Sequence, residues 1–468
     1  MQPYNEDLVK QTNEKVKELY TQANKLADEQ YPVWVARTVY DYCAGSSWSA
    51  SETKHLNECR EALGIPLPVT PARTGRVRRA GRAMADDAGE YCALGASLFW
   101  AVWASRNNPT KLEANLQYLR SKGVDFVRIL LSVGAQGGWS DRPIDPNSPT
   151  WEADVRATLE AIRAAGLRAA VTILGDTPNN AEQVCRKAVS ICESYPETIQ
   201  YIEVCNESFQ NWTLGTPRFI ALTRELAGST SFLVASSCAV KGALWNDVGT
   251  IGTAHLSRDC STWHGHWRPV RQPWGYAAPE EEDAQEFCVN NEPIGPDSSV
   301  ESEKDPAKLA AHAAITFIAG MCAYVLHAGA GIRGGGAEDL AKGRKADWMD
   351  EAEAAIAFDS IAAIRALLPK NLPNWGRQNA HWPGSPVGVN QIREKESDYG
   401  AIKVYSATSG TRFVSCAIGI NNVVHLTTKN PGNVSTQLLD GTVTQIGQYS
   451  PAGTQYTLTT EHLVYGGF

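Results

Sequence analysis

Two short runs of this chain end in the same pair of residues. Tyr201-Ile202-Glu203-Val204-Cys205-Asn206-Glu207 and Phe287-Cys288-Val289-Asn290-Asn291-Glu292-Pro293 are each a brief apolar stretch closed by Asn-Glu. The dipeptide alone says little, and its weight comes from the strand-like context. A carboxylate just past the C-terminal end of a buried parallel strand sits where a β/α barrel keeps its reacting groups. Two such carboxylates on different strands can act as acid and nucleophile on one sugar ring, provided the carboxyls lie about 5–5.5 Å apart. Like charges that close push their pKa values apart, so one can hold a proton while its neighbour stays ionised. Glu207 and Glu292 are the candidates. Glu203 shares a strand face with Glu207 at period two, so it points into the barrel, where a buried carboxylate calls for an Arg or Lys. The competing readings are a surface-loop carboxylate for Glu207 and a plain turn for Glu292.

The elements that would carry these residues follow from hydrophobic periodicity. Arg82–Tyr91 reads as a small hairpin turning at Asp86-Asp87-Ala88-Gly89, and Cys92–Trp100 as a first buried strand. Further strands are expected near 125–131, 168–174, 199–205, 232–236, 251–255, 286–290 and 322–327. Helices are expected near 109–122, 150–165, 179–194, 216–227, 306–319 and 351–368. Eight continuous apolar strands alternating with helices predict a (β/α)8 TIM barrel over residues 81–370. Residues 1–65 read as an N-terminal helical region, whose amphipathic stretch 5–30 packs on the barrel or serves as an oligomerisation or attachment helix. Residues 66–80 read as a linker, with Pro66, Pro68 and Pro71. The Arg run at 73, 76, 78, 79 and 82 reads as a solvated face. From 383 to 468, short Val-, Thr- and Tyr-rich runs broken by Gly, Asn and Pro predict a small C-terminal antiparallel β domain, sandwich-like in type.

Composition narrows the function classes. The chain has 468 residues, enough for one barrel of roughly 250–300 residues plus flanking parts. Apolar residues are 43% and charged residues 20%, as in a globular protein. A net charge of −8 and a pI near 5.7 argue against a nucleic-acid partner. Fourteen Trp add some weight to a carbohydrate ligand. The 11 Cys are odd in number and lack paired metal-ligand spacing, so neither a disulfide framework nor a metal centre is expected. Met1–Asp7 has no basic start followed by an apolar run, so no signal peptide is read there. The long apolar stretch Ala310–Ile332 contains His312 and His327 and reads as a helix followed by a buried strand, not a membrane span.

Over about 81–368 the chain resembles the clan of retaining glycoside hydrolases built on a TIM barrel, which includes families 5 and 39. Asp87–Gly95 resembles the hairpin leading into their first strand. Val127-Arg128-Ile129 resembles the second-strand motif whose Arg braces the nucleophile. Ile202–Glu207 resembles the fourth-strand motif, with Cys205 where Trp is common. There the resemblance implies that Asn206 holds the sugar 2-hydroxyl and Glu207 is the acid/base. Glu292 falls at the seventh-strand end, where the clan keeps its nucleophile. The helical region before the barrel is similar to additions in phage- or virus-encoded hydrolases. The resemblance also implies that no cofactor is needed.

Other residues join the candidate site. His255 follows the sixth strand, where the clan often places a Tyr or His that touches nucleophile or substrate. In the long loop after it, Trp263, Trp267 and Trp274 could stack on sugar rings, and Arg258, Arg268 and Arg271 could hold polar or acidic groups. His255, His264 and His266 suggest zinc only weakly, because no fourth ligand has convincing spacing. His327 ends the eighth strand and could line the same mouth, or be a satisfied core histidine. The expectation is a retaining glycosidase acting on a β-linked poly- or oligosaccharide, with no nucleic-acid or membrane partner. Its place of action is open, with extracellular or virion-associated settings favoured. The rival is a non-catalytic carbohydrate-binding or virion-attachment protein on the same scaffold. A facing pair of Glu favours the enzyme.

Overall fold

The computed structural model describes residues 73–134, 142–236, 248–255, 258, 287–293, 305–333 and 347–379, and the strands between 387 and 467. All of them lie in the second of two units into which the chain divides, Pro71–Phe468. The expected helices of 1–65 lie outside the described residues.

The described chain opens with a three-stranded antiparallel sheet: β1 (Arg78–Ala80), β2 (Ala83–Asp86) and β3 (Gly89–Tyr91). Thus β1 falls inside the stretch read as linker. Eight parallel strands follow. They are β4 (Ala93–Ser97), β5 (Phe126–Ser132), β6 (Arg168–Leu174), β7 (Ile199–Cys205), β8 (Val234–Ala235), β9 (Gly252–Ala254), β10 (Cys288–Asn290) and β11 (Ala323–Leu326). Their order is β8-β7-β6-β5-β4-β11-β10-β9, so the first and last barrel strands are neighbours and the sheet curls back on itself. Every residue in these strands is buried, as both faces of a parallel sheet require. The circle closes between β8 and β9. There Thr250 N–H donates to Val234 O at 2.7 Å, and Thr250 Oγ1 accepts from Val234 N–H at 2.8 Å. A side chain on Gly249 would collide with that same carbonyl, so the seam needs glycine.

The barrel helices are α1 (Ala101–Asn107), α2 (Pro109–Ser121), α3 (Trp151–Ala164), α4 (Ala181–Cys192), α5 (Ser208–Asn211), α6 (Thr216–Ser229), α7 (Pro306–Ile318), α8 (Gly329–Arg333) and α9 (Ala352–Leu367). In α3, Val155, Leu159 and Ile162 recur at helical spacing and are buried, while Glu160 is exposed. Truncating Leu159 to Ala would cost about 2–5 kcal/mol. Asn108 caps α2 by accepting from Lys111 N–H, with Pro109 at the first turn. No helix among the described residues is long and apolar enough to cross a membrane. The stretch Ala310–Ile332 resolves into α7, β11 and most of α8.

Among the described residues two large apolar clusters, beside a small one of Ala254, Cys288 and Met321, share the work. One lies between strands and helices. The other fills the barrel's lower interior, where Phe126, Tyr201, Phe287 and Val325 meet Val77, Met84 and Tyr91 of the opening segment. The hairpin β2–β3 is therefore a plug in the N-terminal end of the barrel. Buried Asp86 fastens it, taking Arg73 at 2.6 Å and Arg168 at 2.8 Å. Burial would raise this carboxyl's pKa, but the two guanidiniums outweigh it and hold it below its usual value. The arginine run is thus only partly a solvated face: Arg73 binds Asp86, and Arg82 donates to Pro373 O at 2.7 Å and Trp375 O at 2.6 Å. Asn374 completes this clasp, accepting from Arg82 N–H and donating to Ala80 O and Glu90.

The C-terminal strands form two antiparallel sheets. Six strands, β12 (Gly376–Asn379), β14 (Val404–Ser409), β15 (Arg412–Ala417), β17 (Gly432–Leu438), β18 (Val443–Tyr449) and β20 (His462–Gly467), run in the order β12-β14-β15-β20-β17-β18. Three more, β13 (Val387–Gln391), β16 (Val423–Thr428) and β19 (Thr454–Thr457), run in the order β13-β16-β19. Ala407, Val414 and Cys416 join the strand–helix core, and β14 and β15 pack against α7.

Candidate active site

The C-terminal ends of the barrel strands bring the singled-out residues together. Arg128 projects from β5 and is fully buried. Its Nη1 donates to Glu292 Oε2 at 2.6 Å, and its Nη2 donates to Glu203 Oε2 and to Asn206 Oδ1, both at 2.7 Å. Its guanidinium carbon lies 5.0 Å from the Phe99 ring centroid, a cation–π contact. Glu203, from β7, is fully buried and has both oxygens satisfied. Oε2 also accepts from Thr172 Oγ1 at 2.7 Å. Oε1 accepts from Thr253 Oγ1 at 3.1 Å and from Asn291 Nδ2 at 3.0 Å. A buried carboxylate survives only with such partners.

Glu207 follows β7 and heads the one-turn helix α5. It is the sole non-glycine with positive φ among the described residues, at φ 43°, ψ 60°. A side chain held in this left-handed region costs on the order of 1–3 kcal/mol and marks a site where the surroundings over-determine the backbone. Here they do. Asn206 N–H extends the ladder to Leu174 O at 2.7 Å. Gln210 and Asn211 N–H both donate to Glu207 O at 2.9 Å. The Glu207 carboxylate accepts from Gln210 Nε2 and lies 3.1 Å from His255 Nδ1.

Glu292 follows β10 and is nearly buried. Besides Arg128, it lies 3.5 Å from His255 Nε2 through Oε2 and 3.5 Å from His327 Nε2 through Oε1. Burial would raise its pKa, but His255, His327 and Arg128 outweigh that and pull it down to about 2. Glu292 is therefore an ionised carboxylate at neutral pH. Burial drives the His327 imidazole the other way, down to about 3, with Arg128, Arg258 and His255 adding to the effect and Glu292 opposing it. His327 is a neutral ring, with Nδ1 2.6 Å from Ser97 Oγ.

Glu207, His255 and Glu292 each offer an atom within 4.8 Å of the others, so oxygens of the two carboxylates approach that closely. The same three atoms could be read as metal ligands. Arg128 at 2.6 Å from Glu292 argues against that, because it already supplies the positive charge that a cation would bring. His264 and His266 lie outside the described residues.

Six of the singled-out residues thus meet in one mouth: Arg128, Asn206, Glu207, His255, Glu292 and His327. Trp263, Trp267, Arg268, Arg271 and Trp274 lie outside the described residues. Arg258 is not available to a ligand as expected, because it is buried and donates to His327 O at 3.0 Å. Sequence reasoning missed Ser97, Thr172, Thr253 and Asn291. For Ser97, Thr172 and Thr253 the one signal is a hydroxyl inside or at the end of an otherwise apolar strand, and for Asn291 it is its place beside Glu292.

No family model matches the sequence, and no curated protein matches it. Solved structures do. One described as "Glycoside hydrolase" superposes with a TM-score of 0.54 at 11% identity, over 86% of this chain and 98% of that one. The chain shares the TIM-barrel fold of that structure. A maltogenic alpha-amylase, AmyB from Thermotoga neapolitana, aligns at TM-score 0.47 and 10% identity, over 80% of this chain and 98% of its own. A GH30 endoxylanase from Clostridium papyrosolvens C71 aligns at 0.45 and 12%, over 84% and 98%. The likeness that counts is the first, and at 11% identity it shows the fold alone.

Proposed function

We propose that this chain is a retaining glycosidase that cleaves a β-linked poly- or oligosaccharide by double displacement. The observation that carries the reading is the pair of carboxylates: Glu207 and Glu292 oxygens within 4.8 Å, on different strands, at the C-terminal end of the barrel. An inverting pair would need about 6.5–9.5 Å to admit a water, so the short spacing favours a covalent route. Glu292, ionised and held by Arg128, attacks the anomeric carbon. Glu207 gives its proton to the departing glycosidic oxygen as that bond breaks. Glu207, now a carboxylate, takes a proton from water, whose oxygen attacks the same carbon. The ester to Glu292 then breaks and the sugar leaves with retained configuration. Asn206, fixed through Oδ1 by Arg128, has its amide N–H groups left to donate to a sugar hydroxyl.

The substrate is a carbohydrate, and Trp263, Trp267, Arg268 and Trp274 are proposed to hold its further rings. The N-terminal helical region is proposed as an attachment or oligomerisation element. The facing carboxylates favour catalysis over a purely binding role. The test is reducing-sugar release from a panel of polysaccharides, comparing wild type with Glu207→Gln and Glu292→Gln. Release that is lost in both folded variants is expected. Release that survives Glu292→Gln would remove the nucleophile from this reading, and no release from any glycan would favour the binding protein.

A further inference from the structure

The proposed mechanism uses Arg128 to hold one oxygen of Glu292 and leaves the other, Oε1, facing His327 alone among the contacts above. Among the described residues, His327 is also the one buried imidazole at the mouth whose second nitrogen meets a side-chain hydroxyl. Its Nδ1 lies 2.6 Å from Ser97 Oγ, at the end of β4. Its Nε2 lies 3.5 Å from Glu292 Oε1. The ring stands against Phe99, with centroids 5.5 Å apart and planes at 58°. Arg258 anchors its backbone carbonyl. Four contacts therefore fix where the ring is and how it is turned.

Chemistry then fixes its proton. With the proton on Nδ1, the Nε2 lone pair would face the Glu292 carboxylate, lone pair against negative charge. With the proton on Nε2, the same atom presents an N–H dipole to Oε1, and Nδ1 becomes an acceptor. Ser97 is the donor that Nδ1 then requires. A hydroxyl can rotate to donate, so Ser97 selects the tautomer in the way an outer partner fixes a ligating histidine.

We infer that Ser97 and His327 are a positioning pair for Glu292: the Ser97 hydroxyl donates to Nδ1 and thereby aims an Nε2–H at Oε1, the oxygen that Arg128 does not hold. This rests on Glu292 being the nucleophile. Oε1 is then the attacking oxygen. The Nε2–H keeps it turned toward the sugar before attack. It recovers the negative charge when the ester breaks, so it assists the second displacement as much as the first. Among the described residues, the charged and titratable groups around Glu292 are Arg128 on β5, Glu203 on β7, Glu207 after it, His255 after β9 and His327 after β11. Arg258 acts on it through His327. Removing the Nε2–H donor therefore raises the proton affinity of Glu292 without emptying its other contacts.

The first test needs no substrate. ¹⁵N-histidine NMR on the full chain, with His327 assigned by its loss in His327→Gln, reads the tautomer directly. A neutral Nε2–H ring that does not titrate from pH 5 to 8, and that becomes a tautomer mixture in Ser97→Ala, supports the pair. An Nδ1–H ring, an imidazolium, or no change in Ser97→Ala overturns it. The second test applies once a hydrolysed glycan is known. Ser97→Ala and His327→Ala should each lower kcat/KM about 10-fold, the worth of an N–H dipole held 3.5 Å from the reacting charge. Their acid limb should move to higher pH. His327→Gln, which restores an N–H near the Nε2 position, should recover part of both effects. An acid limb that stays put in His327→Ala overturns the inference. Absence of hydrolysis in wild type would instead count against the glycosidase reading and leave the NMR result standing.

Discussion

The floor and the mouth of this barrel each bury an arginine–carboxylate cluster, and the two have opposite surpluses. At the floor, one carboxylate, Asp86, meets two guanidiniums, Arg73 and Arg168. The spare donors go to backbone carbonyls: Arg73 to Gly89 O, and Arg168 to Thr74, Gly75 and Glu197 O. At the mouth, one guanidinium, Arg128, meets two carboxylates. Glu203 is saturated by hydroxyl and amide donors, whereas Glu292 has one short partner and two imidazole contacts at 3.5 Å. Both clusters satisfy the cost of burying charge. The floor has converted its surplus into hydrogen bonds to the chain. The mouth keeps an ionised carboxylate with loosely held capacity, which is what a reacting group needs.

The largest test of this contrast is Glu292→Gln. It should lower hydrolysis roughly 10⁴-fold or more, the scale seen when a nucleophile is removed, while thermal melting by circular dichroism keeps a native transition. A variant that simply unfolds would make the mouth another structural cluster. Asp86→Ala should do the reverse. Two guanidiniums lose their partner, costing about 3–5 kcal/mol in urea unfolding, with activity per folded molecule unchanged. A loss of specific activity there would erase the division between the two ends.

Acid should sharpen the comparison in two steps. The His327 pKa is depressed from 6.5 to about 3, so the unfolded chain binds this proton and the folded chain does not. That contribution is present above pH 6.5 and is lost progressively as pH falls toward 3. Glu292, depressed from 4.5 to about 2, contributes in the same sense but over pH 4.5 down to 2. Unfolding free energy should therefore fall from pH 6.5 downward and steepen below 4.5, where Asp86, also depressed, joins in. His327→Gln should flatten the upper step and spare the lower. The smallest effect belongs to the clasp: Asn374→Ala should cost about 1–3 kcal/mol for its lost hydrogen bonds, with kinetics untouched.

Much of this was legible in the residues. The seven later barrel strands and the six long helices came from runs whose periodicity is unambiguous, and they lie within a few residues of the expected spans. The first strand was read too long: β4 stops at Ser97, and Leu98–Trp100 lead into α1 instead. That helix, α5 and α8 escaped notice because segments of four to seven residues hold too few turns to show a period. Glu207 could be placed by its strand, but not its left-handed backbone, which depends on the neighbours that hold Asn206 and the carbonyl of Glu207. Arg258 misled because a loop arginine beside tryptophans looks like a ligand holder. Its burial under His327 is set by packing across the barrel. Thr172, Thr253 and Ser97 are single hydroxyls in apolar strands, and only closure of the circle shows that the first two face Glu203 and the third faces His327.

The closure itself has a consequence in time. Seven of the eight strand boundaries are hydrogen-bonded ladders, but β8 and β9 meet through Val234 and the Thr250–Ile251 segment, without a ladder between them among the described residues. His255 follows β9 at that seam, and Glu207 follows β7, one strand in from it on the other side. Local opening is cheapest where the fewest bonds must break. On warming, amide exchange at 250–254 should therefore precede exchange in β5 and β6. The proposed hydrolysis should then fade as His255 moves away from Glu207 and Glu292, at temperatures where the rest of the circle is still intact.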